Sequence, residues 1–83
     1  MNINIKEFEN KFEENYEMLY QNDILCQNDN TIKDYDKKID EFDELVKKDN
    51  VKELLKQFII HRGDFISSDR ECIAFVLTLE SYM

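Results

Sequence analysis

The near absence of chain-breaking residues most constrains what this sequence can fold into. Its 83 residues include one glycine, Gly63, and no proline. Domains rich in strands or loops depend on both residue types, because tight turns need backbone angles that other residues adopt poorly. A hydrophobic content of 42% with six phenylalanines and four tyrosines argues against disorder. The sequence therefore predicts an all-α fold, a single domain over residues 1–83 built as a small bundle of about four helices.

Capping signals and apolar spacing separate the first two predicted helices. The first spans about residues 5–20, with Asn4 as its N-cap; at residues 22–23 it either frays or turns, and residues 24–26 either continue it or form a short apolar plug. The second begins with Thr31 as its cap and ends near residues 49–50. Both carry apolar residues at every third or fourth position, which predicts one core-facing stripe on each helix: Ile5, Phe8, Phe12, Tyr16 and Leu19 in the first, and Ile32, Tyr35, Ile39, Phe42, Leu45 and Val46 in the second.

The third predicted helix spans about residues 51–62, with Asn50 at its start. Gly63 follows it directly, where a left-handed C-terminal cap is expected. The connection over residues 64–67 then carries an apolar anchor between two polar ends. The sequence therefore indicates a short, defined link between the third helix and the fourth.

The fourth predicted helix spans about residues 69–82 and opens with a capping box formed by Ser68 and Glu71. It is apolar nearly all round, so it must be buried on several faces. Either it is the centre of the bundle, or its second face meets another chain. A strand over residues 72–79 is the alternative, because that run is rich in β-branched and aromatic residues.

Acidic residues outnumber basic ones by 19 to 11, which gives a formal net charge of −8. Nucleic-acid-binding proteins normally present a basic patch, so direct binding to DNA or RNA is not expected. The same charge disfavours anionic membranes and favours basic protein surfaces. The sequence contains neither the roughly 18 apolar residues of a membrane span nor the pattern of a signal peptide, so a cytoplasmic location is expected.

The surplus of acids is concentrated in the first predicted helix. Residues 1–30 contain seven acids and two bases. Glu9, Glu13 and Glu17 recur at every fourth position and would form one row on a helix, with Glu14 beside it. Like charges at this spacing destabilise a helix by about 0.2–0.5 kcal/mol per pair. A row that weakens its own helix indicates a basic partner.

The second predicted helix is equally acidic but its charges are expected to be compensated locally. Residues 31–50 contain seven acids and five bases. Asp36 and Asp40 are predicted to be secondary contacts for the same partner. Elsewhere on this helix an acid precedes a lysine by four positions, which is the favourable orientation: Asp34 and Lys38, Asp43 and Lys47, and Glu44 and Lys48.

The sequence predicts no catalytic site, no cofactor and no metal centre. The single histidine, His61, excludes a di-metal carboxylate bundle, which needs Glu-x-x-His motifs on two helices. Cys26 and Cys72 lack the paired spacing of zinc ligands and are expected to be reduced thiols. A nucleophilic pair of Cys72 and His61 is the alternative, although a buried structural cysteine is the more ordinary role.

Taken together, the chain resembles the small acidic inhibitors that bacteriophages make against host defences, including the anti-CRISPR proteins. The resemblance rests on its size, its charge of −8, a composition rich in Asn, Ile, Lys and Asp, and the row of Glu9, Glu13 and Glu17. It implies a non-enzymatic protein that blocks a nucleic-acid-handling effector such as a nuclease, often as a nucleic-acid mimic in the effector's groove. On this hypothesis, changing the three glutamates to lysine abolishes partner binding and preserves the fold.

Two other functions fit the same sequence. An immunity or antitoxin protein that neutralises a nuclease toxin would use identical electrostatics. A structural or adaptor module would instead use the acidic surface only for solubility and would form a homodimer through residues 72–82. Disruption of a stable dimer by Phe75→Glu would distinguish that third function from the other two.

Overall fold

The computed structural model describes the backbone of residues 3–25 and 29–82, and the side chains of residues 3–21 and 36–82. The described residues form four helices and no strand: α1 (Ile5–Leu25), α2 (Asp29–Leu45), α3 (Asp49–Arg62) and α4 (Asp69–Glu80). The predicted all-α class is confirmed. The alternative strand over residues 72–79 is wrong, because these residues lie inside α4.

α4 is the central helix of the bundle. Both α1 and α2 pack on it, and α3 packs on α1. The sequence left two explanations for the apolar residues on all sides of this segment, a central position in the bundle or contact with another chain. The structure shows the central position, because most of the apolar surface of α4 is covered within one chain. The fully or almost fully buried residues of α4 are Ile73, Ala74, Phe75, Val76, Thr78 and Leu79.

Phenylalanine rings from all four helices meet at the centre. Phe8 of α1 lies edge-on to Phe58 of α3 and to Phe75 of α4, with centroid distances of 5.3 and 5.4 Å. Phe12 approaches Phe58 at 4.9 Å, and Phe42 of α2 approaches Phe75 at 5.7 Å. Each such pair is worth about 0.5–1.5 kcal/mol beyond the area it buries. The α1 and α3 stripes therefore supply most of the aromatic core, and α2 joins it through one ring.

Of the alternatives that the sequence left open for residues 24–26, the structure shows continuation of the helix. α1 runs through residues 22–23 to Leu25, about five residues beyond the predicted span of 5–20. Asn and Asp are poorer helix formers than Ala by roughly 0.7 kcal/mol or less, which is too little to stop a helix that has no Gly or Pro in it. Its start is as predicted, since the Asn4 side-chain oxygen accepts a hydrogen bond from the Glu7 N–H at 3.1 Å.

The boundaries between α2 and α3 also differ from the prediction. α2 begins at Asp29, so Thr31 lies inside the helix and is not its cap. α3 begins at Asp49 after a turn over residues 46–48, and its N-cap is Lys48. Asn50 instead accepts a hydrogen bond from its neighbour's N–H. α3 starts on Asp49, whose carboxylate interacts favourably with the helix dipole.

The link between α3 and α4 is as the sequence predicted. Gly63 ends α3 with φ of 76°, and its N–H donates to the carbonyl of Ile59. Only glycine adopts this left-handed backbone without strain. At the other end of the link, Ser68 Oγ accepts from the Glu71 N–H at 3.2 Å and so caps α4. Ile66 is the apolar anchor of the connection, since it packs against the core.

Candidate protein-binding surface

Three exposed carboxylates, those of Glu13, Glu14 and Glu17, form what is called here the acidic face of α1. The ion pairs among the described residues include none of the three. Four residues slightly exceed one helical turn, so a row at this spacing advances about 40° per step around the helix. The predicted row therefore starts at the edge of the core with Glu9 and faces solvent by Glu17.

Glu9 differs from the other three predicted contacts on α1. Its Oε2 lies 3.5 Å from Nε2 of His61 on α3, and the two side chains are 29% and 35% exposed. The pair is ionic only when the imidazole is protonated. Glu9 thus has a neighbour within its own chain and lies at the margin of the surface, whereas the acidic face of α1 is open to a partner.

Arg62 joins three helices beneath the acidic face of α1. Its Nη1 donates to Glu71 Oε2 at 2.8 Å, and the two side chains are only 17% and 12% exposed. The guanidinium also lies over the rings of Phe12 and Phe58, 5.1 and 5.5 Å from their centroids. Arg62 therefore ties the end of α3 to the start of α4 and packs against α1, which gives the acidic face a rigid support.

The environment of Glu71 favours its ionised form. Burial alone would raise the pKa of this carboxyl, but hydrogen bonds from Arg62, from the Ser67 N–H and from Ser68 together lower the pKa below its ordinary value. The charge of Arg62 acts in the same direction. At neutral pH Arg62 is thus neutralised by Glu71 and remains unavailable to Glu13, although Glu13 lines the same cleft of about 230 Å³.

A buried polar contact fixes the middle of α1 on α4. Asn15 Nδ2 donates to the hydroxyl of Thr78 at 2.9 Å, and that hydroxyl donates to the Ala74 carbonyl at 2.7 Å. Thr78 is fully buried, so its hydroxyl needs both partners. This contact sets the register of the two helices and, with Phe8 and Phe12, orients the acidic face of α1 away from the core.

The charges of α2 are compensated in part, and the two predicted pairs that the described residues test, Asp43 with Lys47 and Glu44 with Lys48, are not formed. Lys38 donates to Glu41 at 3.3 Å and to Glu80 on α4 at 2.7 Å. The hydrogen bond to Glu80 raises the pKa of Lys38 and outweighs the opposing effect of burial. Lys47 pairs with Glu44 at 3.3 Å and not with Asp43. The side chain of Asp34, predicted to pair with Lys38, lies outside the described residues.

Asp36 and Asp40, the predicted secondary contacts, lie on the exposed side of α2. Asp40 lines a shallow groove together with carboxylates and lysines of α2 and with Glu80. α1 and α2 each pack on α4, so these two aspartates belong to a separate surface of the bundle. The structure thus groups Glu13, Glu14 and Glu17 on one helix face, with Asp36 and Asp40 on another helix.

Cys72 is a free thiol on α4 and is partly buried. Burial raises its pKa, and the negative charge of Asp69 and Asp43 acts in the same direction. The thiol is therefore protonated at neutral pH, which is the opposite of what a nucleophile needs. Cys26 lies outside the described residues. Among the described residues, no group of three His, Cys, Asp or Glu side chains is arranged to hold a metal ion.

The sequence did not reveal the pairs that cross between helices. The Arg62–Glu71 contact spans nine positions, and the Lys38–Glu80 and Asn15–Thr78 contacts span 42 and 63 positions. Spacing along a helix identifies partners three or four residues apart, whereas these contacts depend on how the helices pack. Two polar residues among apolar ones were the available signals of a contact between helices: Asn15 beside the apolar stripe of α1, and Thr78 within α4.

The fold and this surface define a small all-α protein that presents an acidic helix face with no ion pair among the described residues. No helix in the described part of the chain is both long and apolar enough to cross a membrane. No known protein family, curated protein or solved structure matches the chain. The function therefore has to be inferred from the surface itself.

Proposed function

We propose that this protein is a non-enzymatic inhibitor that binds a basic, nucleic-acid-handling protein through the acidic face of α1. The observation that carries the proposal is that Glu13, Glu14 and Glu17 are exposed and take part in no ion pair of the described residues. Five other glutamates of the described residues are paired with a lysine or arginine: Glu7, Glu41, Glu44, Glu71 and Glu80. The resemblance to small acidic phage inhibitors implies, more specifically, an anti-CRISPR-type role.

The spacing of the carboxylates suits a groove that binds nucleic acid. Residues four apart on a helix are separated by about 6 Å along its axis. Duplex DNA likewise presents regularly spaced negative charge along its axis. A row of carboxylates on a rigid helix can therefore form charge-assisted hydrogen bonds with arginines and lysines that otherwise contact phosphates.

Rigidity supports the proposal because a preorganised surface loses less conformational entropy on binding. α1 is fixed on its inner side by Phe8, Phe12 and the Asn15–Thr78 contact. The outer carboxylates of the helix are then held at a constant spacing. The net charge of −8 adds long-range attraction to a basic partner and repulsion from nucleic acid.

A capture experiment tests the proposal. The protein is immobilised and exposed to lysate of its host at low and at high salt, and retained proteins are identified by mass spectrometry. We expect a nucleic-acid-binding protein that is released by salt, because exposed charge pairs are screened. With the purified partner, nucleic acid should compete for binding and the partner's activity should fall on addition of the inhibitor.

Charge reversal provides the matched comparison. Changing Glu13, Glu14 and Glu17 to lysine should abolish capture with the fold intact. Glu9 is left unchanged, because a lysine there would lie against His61. The control reverses three exposed acids of the other helices, Asp43, Glu44 and Glu53, so that the net charge changes equally. Equal loss of capture by both variants would show that net charge alone is responsible and would contradict the proposal.

A further inference from the structure

A second surface of opposite character lies on the outer side of α3. Ile60 and Phe65 are 71% and 72% exposed, the most exposed large apolar side chains among the described residues. Together they border a shallow groove of about 470 Å³, called here the α3 groove. It is lined by Lys52, Leu55, Lys56, Ile59, Ile60 and Phe65.

The α3 groove is not needed for the fold of the chain. The core side of α3 consists of Val51, Leu54 and Phe58, which are buried. Ile60 and Phe65 lie outside the buried core cluster, and Ile66 rather than Phe65 anchors the connection. Contiguous exposed apolar surface with a polar rim is characteristic of binding sites in soluble proteins. Two large apolar side chains exposed next to each other therefore indicate an occupant.

The charge of the groove specifies the chemistry of that occupant. Its two charged lining residues are both lysines, in a chain whose net charge is −8. Lys52, Lys56 and Ile60 recur at every fourth position and so form one ridge along α3. A partner helix with carboxylates every third or fourth residue could pair with these lysines. Its neighbouring apolar side chains would then lie in the apolar part of the groove. Asp49 and Glu53 lie within one turn of these lysines on α3, but neither lines the groove, and no ion pair among the described residues joins them to Lys52 or Lys56.

We propose that the α3 groove binds an amphipathic helix of another protein that carries carboxylates beside its apolar row. A second copy of this chain suits the groove less well. Its own groove lining contains no acid, so pairing of like grooves would leave Lys52 and Lys56 without carboxylates. Two copies of a chain with net charge −8 also repel each other. The inference is independent of the acidic face of α1 and would make the protein a bridge between a basic and an acidic partner.

Two synthetic peptides test the inference. Both are amphipathic helices with the same leucine row, flanked by glutamate in one and by lysine in the other. Binding is followed through the backbone amide signals of the isotope-labelled full chain in nuclear magnetic resonance. We expect the glutamate peptide to shift signals at Leu55, Ile59, Ile60 and Phe65, and to bind at least tenfold more tightly than the lysine peptide.

Variants of the groove complete the design. Lys52→Glu with Lys56→Glu should weaken the glutamate peptide at least tenfold and should now favour the lysine peptide. Ile60→Ser with Phe65→Ser should weaken both peptides, and the exposure of these side chains predicts that the variant folds. Lys47→Glu with Lys48→Glu, which changes the charge equally outside the groove, should leave peptide binding unchanged.

Four outcomes would overturn the inference. The glutamate peptide could fail to bind at millimolar concentration, or both peptides could bind equally well. The signals of the groove could shift with protein concentration when no peptide is present. Anionic lipid vesicles could bind through the same side chains. The third outcome would identify a second copy as the occupant and the fourth a membrane surface. Reversal of Glu13, Glu14 and Glu17 should leave peptide binding intact, so failure here is distinguishable from failure of the proposed function.

Discussion

α1 and α2 both pack on α4, yet they use their charges in opposite ways. α1 is attached through Phe8, Phe12 and a polar contact to Thr78, and the acidic face on its outer side takes part in no ion pair among the described residues. α2 is attached through Phe42 and through Lys38, which bridges to Glu80 on α4. Charged side chains are therefore paired where they hold two helices together, as Lys38 and Glu80 do. On the outer side of α1, which apolar side chains already hold on the core, the carboxylates of the acidic face take part in no ion pair among the described residues. Unpaired charge on a well-anchored helix is what a binding surface requires.

The largest expected effect concerns the support beneath the acidic face of α1. Arg62→Ala should destabilise the protein by about 2–3 kcal/mol, because it removes a ring contact and leaves the sheltered Glu71 carboxylate unpaired. Urea denaturation followed by circular dichroism measures this change. A cost below about 0.5 kcal/mol for Arg62→Ala would show that α1 is supported by the core alone.

Glu71→Gln should cost about 1–2 kcal/mol at neutral pH, since the charged hydrogen bond to Arg62 is lost. The pKa of Glu71 is lowered in the folded state from its ordinary value of 4.5. A lowered folded pKa gives stability that is complete above the unfolded pKa and is lost as pH falls through the folded pKa. The difference between wild type and variant should therefore be constant above about pH 5.5 and shrink below pH 4.5. A difference that persists in acid would contradict the ionic role.

On the α2 side, Lys38→Glu tests the bridge to α4. The variant places a third carboxylate beside Glu41 and Glu80, so we expect a loss of about 1 kcal/mol. Thermal or urea unfolding measures it, and the loss should diminish at high salt because the repulsion is screened. Lys37→Glu, at an exposed neighbour, is the matched control. An equal loss in the control would show that the Lys38–Glu80 contact is not special.

The smallest expected effect has the opposite sign. Glu17→Lys should stabilise the protein by about 0.5 kcal/mol, because it replaces repulsion from Glu13 and Glu14 with two favourable pairs. The gain should be largest at low salt and is measured by urea denaturation. Gln21→Lys, one turn further along α1, serves as a control that adds a lysine and keeps the carboxylates. Destabilisation by Glu17→Lys would mean that the acidic face of α1 contributes to the fold.

The sequence predicted those features that depend on neighbours along the chain. The caps at Asn4, Gly63 and Ser68 were identified correctly because each is determined within three or four residues. The composition of α4 required burial on several faces and left its central position as one of two explanations. The predicted span of α1 was about five residues too short and the predicted starts of α2 and α3 were wrong, because polar residues without Gly or Pro only weakly oppose helix continuation.

The surface was predicted only in part. The sequence located the excess of acid on α1, but the difference between Glu9 and Glu17 depends on which side of the helix faces α3. Compensation of α2 was expected from local spacing, yet the bridge from Lys38 to Glu80 and the bond from Arg62 to Glu71 join different helices. The α3 groove was missed because the apolar residues around Phe65 were interpreted as an anchor. Which of two adjacent apolar residues is buried, Phe65 or Ile66, is decided by packing.

The most direct test measures stability and partner affinity in the same variant, Glu17→Lys. On this interpretation the Glu17 carboxylate contacts a partner, although its charge destabilises the fold. The variant should therefore be more stable than wild type and should bind the captured partner at least tenfold more weakly at low salt, with the difference decreasing as salt is raised. Unchanged affinity together with increased stability would contradict the account, because the unpaired charge would then serve no interaction.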